Sequence, residues 1–144
     1  MGTRRKAREL AMKALFCMDM LKNESDELME RLDVRLKPSP DIRGFYVALV
    51  KGVIHNKPQI DQMIEQFSSN WKMSRMGFVD RNILRIATYE LLFCPDIPPK
   101  VTINEAVDIG KLYGTEDSGA FINGILDGIY QKKNAEVQKI NQPD

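Results

Sequence analysis

The chain has 144 residues, with 21 Lys and Arg against 20 Asp and Glu, one His, two Cys, one Trp and 43% hydrophobic residues. At this length one core can bury roughly 70% of the unfolded surface, so neither disulfides nor a structural metal is needed for stability. Cys17 and Cys94 stand far apart in apolar surroundings, as reduced thiols in a cytoplasm do; the lone His55 leaves few routes to a zinc site or a histidine triad, and no apolar run approaches the ~20 residues that span a bilayer.

Apolar spacing is helical nearly everywhere, which predicts an all-α domain over residues 1–134 and a polar, frayed tail over 135–144. The first helix runs from about Arg4 to Leu21 and places Ala7, Leu10, Ala11, Ala14, Leu15 and Met18 on one face. A second spans Asp26 to about Leu36, capped by Ser25 or Asp26, and Lys37-Pro38-Ser39-Pro40 forces an extended connection. A third covers Asp41 to Ile54 and a fourth Lys57 to Ser69; Asn70 to Gly77, with Trp71, reads as a loop. Val79 to Phe93 is apolar nearly all round and should be the central helix. After Pro95, Pro98 and Pro99, Thr102-Ile103-Asn104-Glu105 has the pattern of a capping box, with Val101 and Ala106 placed as a hydrophobic staple. That helix stops at Gly114. A last one runs from about Asp117 to Lys133, where Gly119, Gly124 and Gly128 predict close approach of a neighbour.

The near-neutral total conceals an asymmetry in the first helix. Residues 1–13 carry Arg4, Arg5, Lys6, Arg8 and Lys13 against Glu9 alone, a local excess of four, so the remainder of the chain is net negative by three. A mitochondrial transit segment is also Arg-rich, but Glu9, Asp19 and the direct continuation into core-like sequence weigh against one. Basic side chains in a first helical turn face the positive end of the helix dipole, a mild cost that a helix optimised only for stability would avoid. Two readings follow: a solvated basic turn without a partner, or a phosphate-binding arm. Opposite the core stripe lie Arg5, Glu9, Met12, Phe16 and Met20. Either the helix is buried on two sides by its own domain, or this second face is a protein docking surface beside the basic end.

Catalytic chemistry finds little support. Glu90 falls on the apolar side of the central helix without a second acid or a metal-ligand cluster near it, so a buried carboxylate paired with an arginine or capping a loop is the better reading. Cys17 and Cys94 have no histidine placed to activate them, and the chain has no Walker A sequence or strand-linked glycine loop.

Four ordered blocks carry a family resemblance. They are Arg4-Arg5-Lys6-Ala7-Arg8-Glu9-Leu10-Ala11 continuing through Ala14-Leu15-Phe16, then Val79 through Leu91, then Pro99 through Val107, then Tyr113 through Ser118 with Phe121 through Asp127. Together they resemble the NusB family of bacterial transcription antitermination factors over almost the whole chain. The resemblance implies a seven-helix domain of two packed helical subdomains, no enzymatic activity, and no cofactor or metal. It implies pairing with NusE, a ribosomal small-subunit protein, and binding of the pair to boxA RNA. RNA polymerase and other Nus factors would complete an antitermination complex acting notably on ribosomal RNA operons. Arg4, Arg5, Lys6 and Arg8, with Lys13 close behind, become the RNA-binding arm; Tyr113, Asp117 and Phe121 match a second RNA-contacting region. Phe16 and Asp80 match the NusE interface, with Glu9 and Met12 on the same helix face. Phe16 stands where some relatives have tyrosine, which keeps the packing surface and loses a hydroxyl. Two alternatives remain: the N-terminal RNA-binding domain of a ribosomal RNA cytosine methyltransferase, whose βαβ unit these residues lack, and a homodimeric or larger helical module that masks its own RNA face.

Overall fold

A computed structural model describes residues 2–69 and 71–141. Among these it contains seven α-helices and no strand: α1 Thr3–Leu21, α2 Asp26–Leu36, α3 Pro40–His55, α4 Lys57–Phe67, α5 Phe78–Phe93, α6 Pro99–Tyr113 and α7 Ser118–Asn141. A short 3-10 turn, Met73–Arg75, interrupts the connection expected between α4 and α5; Asn70 and residues 142–144 lie outside the described residues.

Local chemistry sets most helix ends. Ser25 caps α2, its hydroxyl accepting from the Leu28 amide at 3.2 Å, while Asp26 and Glu27 in the first turn and Arg35 in the last complement the dipole. Pro40 opens α3, where its missing N–H has no partner to lose. The same device sets α6 differently from the expected capping box. Pro99 starts the helix one turn early, so Thr102 sits inside it, buried, and donates its hydroxyl to Glu90 instead of capping. Val101, expected as half of a staple, is exposed. At the other end of the chain α7 continues past Lys133 to Asn141.

Helices α1–α3 form one group and α4–α7 the other, joined where α1 and α3 pack on α5. As its all-round apolar pattern requires, α5 is central: it contacts α1, α3, α4, α6 and α7, and one continuous core runs through both groups. Gly128 provides the expected close approach, since a Cβ there would lie 2.6 Å from the Phe67 ring of α4. Gly124 has open space beside it, so close packing does not explain it.

Partly buried charges tie the two groups together. Asp19 of α1 accepts from Arg81 Nε at 2.8 Å, Asn82 Nδ2 at 3.0 Å and Arg85 Nη1 at 3.0 Å, and Arg85 grips Asp61 of α4 through two further bonds of 2.8 and 3.0 Å. Burial alone would raise the Asp19 carboxyl, but the hydrogen bonds from Arg81 and Asn82 and the charges of both arginines hold it below its ordinary value. No helix among the described residues is long and apolar enough to cross a membrane.

Candidate nucleic-acid interface

The basic arm is divided by burial. Arg4 and Lys6 are exposed; the Arg4 guanidinium lies 4.8 Å from the centre of the Phe45 ring and 4.0 Å from the Asp96 carboxylate. Arg5 is half-buried and occupied, bonded to Glu105 through Nε and Nη2 and to Asp108 through Nη2 at 2.9 Å. Its hydrogen bond to Glu105 outweighs the cost of burial and raises its pKa above the ordinary value.

Arg8 departs from the expected arm. It is 3% exposed, and its Nε and Nη2 donate to the two oxygens of Glu90 at 2.8 Å each, with Nη1 3.3 Å from Glu105. Thr102 adds a third donor to Glu90 at 2.8 Å. This is the arginine-paired carboxylate read from the central helix, and it corrects the assignment of Arg8 to RNA. A guanidinium locked into a buried bidentate pair could reach a phosphate only by leaving Glu90 charged and unpaired. Met12 needs a correction of the same kind. It is 3% exposed because α1 is covered by α3 on one side and α5 on the other, so it belongs to the core and not to a docking face.

Farther along α1 the side chains meet the end of α6. Tyr113 donates its hydroxyl to Glu9 at 3.2 Å, and the Lys13 ammonium lies 5.3 Å from the centre of the Tyr113 ring. Burial, then the Glu9 charge and hydrogen bond, raise the Tyr113 phenol above its ordinary value. Glu9 is thereby oriented by the second predicted RNA region.

That region continues through the α6–α7 turn into a cleft of about 390 Å³ lined by Trp71, Arg75, Asp80, Thr115, Asp117 and Phe121 among others. Ser118 shapes its wall. The buried Ser118 hydroxyl donates to Asp80 at 2.7 Å and accepts from the Thr115 amide at 2.8 Å, which ties the start of α7 to the start of α5. Gly114 makes the turn possible, because a Cβ there would fall 2.2 Å from the Ser118 hydroxyl. Asp80, expected on the partner face, thus shares a cleft with Asp117 and Phe121, expected on the RNA face.

Phe16 is half-buried, with its ring edge-on to Phe78 at 5.6 Å between centres, and Arg81 stacks on the other ring at 4.7 Å. The loop pattern of residues 70–77 gives no role to Trp71 or Arg75. The available signal was a tryptophan between Asn70 and Lys72, a large aromatic in a polar loop where no helix face asks for one; it is 52% exposed. Among the described residues no group of three or more His, Cys, Asp or Glu could hold a metal ion.

A profile of the NusB family matches residues 5–131. The chain belongs to the NusB family. It is 53% identical over 130 residues to the transcription antitermination protein NusB of Desulfatibacillum aliphaticivorans, covering 90% of this chain and 91% of the relative. It is 46% identical to that of Syntrophus aciditrophicus (strain SB), over 99% and 90% respectively. Among solved structures it resembles T. maritima NusB, with 39% identity, a TM-score of 0.79 and coverage of 94% of this chain and 99% of that one. It also resembles a chain in a crystal structure of antitermination factors NusB and NusE in complex with dsRNA, with 29% identity, a TM-score of 0.80 and coverage of 89% and 96%. NusB-family proteins are transcription antitermination factors, not enzymes, so Glu90 and the two cysteines have no catalysis to perform.

Proposed function

We propose that this NusB-family protein is an RNA-binding adaptor that holds single-stranded, boxA-type RNA together with a NusE-like ribosomal protein. It acts in the cytoplasm within a complex of RNA polymerase and other Nus factors, and supports processive transcription of ribosomal RNA operons. The observation that carries this reading is a meeting of cations and rings: Lys13, seven residues after exposed Lys6 on the same side of α1, lies over Tyr113, and the turn that follows Tyr113 lines the cleft holding Trp71 and Phe121, while exposed Arg4 stands at the start of α1. The arm supplies cations for phosphates, and the cleft supplies rings on which unpaired bases stack. Asp117 would repel a phosphate, so its role is to accept from a base amino group or a 2′-hydroxyl. The similar chain crystallised with NusE and dsRNA supports both classes of partner.

Titrating a boxA-type RNA and a scrambled RNA, each with and without the NusE-like protein, tests the reading. Tighter binding of the boxA-type RNA, increased by the partner, is expected; equal affinity in all four titrations would contradict it. Phe16→Glu should weaken partner binding more than RNA binding, and Asp80→Lys, whose side chain sits in the shared cleft, should affect both. A homodimer that buries the arm would compete with this assembly. It would appear in light scattering as a mass that falls with added salt and with RNA.

A further inference from the structure

Arg5 is the one arm guanidinium whose hydrogen-bonding edge is both close to solvent and already filled. Its Nε and Nη2, the pair that would grip a phosphate through two parallel bonds, are directed at Glu105 and Asp108. The two acids stand three residues apart on α6, where like charges repel each other, and Arg5 is the cation that relieves the repulsion. Glu105 also reaches Arg8 and so belongs to the buried pair. Asp108 does not: it is 54% exposed, and among the described residues its one ion pair is to Arg5.

We propose, resting on the RNA-binding reading above, that Glu105 and Asp108 act as a built-in phosphate mimic and that Asp108 is a specificity-determining residue. An RNA that binds through phosphates alone must displace the carboxylates to recruit Arg5. One that also stacks bases in the Trp71–Phe121 cleft can leave Arg5 with its acids and still bind. The clamp therefore lowers affinity for non-specific RNA more than for the preferred one, and so widens the ratio between them, which is the quantity that matters among many competing sites.

A double-mutant cycle of Asp108→Asn and Arg5→Ala, read by RNA titration over a range of salt, tests this. Asp108→Asn should tighten scrambled RNA about two- to fivefold at low salt, the range an exposed ion pair commands. It should steepen the log–log salt slope by up to about 0.7, the share of one added phosphate on a single strand, and gain less on boxA-type RNA. In the Arg5→Ala background the gain should vanish. The same charge change at the exposed Glu30 on α2, Glu30→Gln, should give no gain. An unchanged or weaker scrambled-RNA affinity in Asp108→Asn, or an equal gain without Arg5, would overturn the clamp. If neither RNA binds the wild-type protein, the RNA reading fails and the clamp is decided by the same cycle with inorganic tripolyphosphate. Tighter binding in Asp108→Asn alone upholds it, and no difference refutes it.

Discussion

Arg5 and Arg8 are neighbours on the same helix, Arg5 facing acids of α6 and Arg8 acids of α5 and α6, yet they serve different ends. Arg8 is buried with Glu90 and Thr102 between α1, α5 and α6, where its guanidinium and the Glu90 carboxylate pair with each other. Arg5, one turn earlier, holds its acids at the rim; among the described residues Arg4 beside it has a single 4.0 Å pair with Asp96, and Lys6 is exposed without one. A run of basic residues is thus not one functional unit. The boundary between anchor and arm is drawn by which residues α5 and α6 bring against it.

The largest way to sharpen that contrast is to remove the anchor. Arg8→Ala strands the buried Glu90 carboxylate and should cost about 3–5 kcal/mol in denaturant unfolding, whereas replacing both partners, Arg8→Met with Glu90→Leu, should recover much of the loss. A loss under about 1 kcal/mol for Arg8→Ala would place Arg8 with the arm after all.

The second anchor between the two helix groups should respond to acid. Asp19→Asn should cost about 1.5–3 kcal/mol at neutral pH, the range for hydrogen bonds to a charged group. Because the Asp19 carboxyl is held below its ordinary 3.8, its contribution is full above that pH and is lost as pH falls through the lower folded value. Wild-type stability should therefore drop more steeply with acid than that of Asp19→Asn; parallel curves would deny the anchor its role.

On the open surface the expected effects are on binding and not on folding. Trp71→Ala should weaken RNA by about 1–3 kcal/mol, the value of one stacked base, and leave the melting temperature nearly unchanged. As Trp71 is the sole tryptophan, quenching of its fluorescence on RNA addition reports the same contact in the wild-type protein.

Much of this was legible in the amino-acid order. The period of 3.6 locates the helices, the all-round apolarity of residues 79–93 identifies the central one, and Glu90 reads as a buried carboxylate paired with an arginine or capping a loop, of which the pair is what the structure holds. What escaped the sequence was contact at a distance. The helical wheel gave the angle of Met12 on α1 but not the number of helices covering it, so a second core face resembled a docking face. Arg8 could not be separated from Arg4 and Lys6, because its partner lies 82 residues away. Thr102 and Glu105 fit a capping box in pattern, yet Pro99 had already started the helix, and both side chains turned to tertiary partners. The cleft of Trp71, Asp80 and Phe121 draws on three separate segments, and only folding assembles it.

The division of the arm is tested most directly by the salt dependence of RNA binding, measured beside thermal stability for Arg4→Ala combined with Lys6→Ala. Loss of two phosphate contacts should flatten the log–log slope by about 1.4 with the melting temperature unchanged. An unchanged slope, or a slope change accompanied by a large fall in melting temperature, would contradict an arm whose exposed cations bind RNA while its buried one holds the fold.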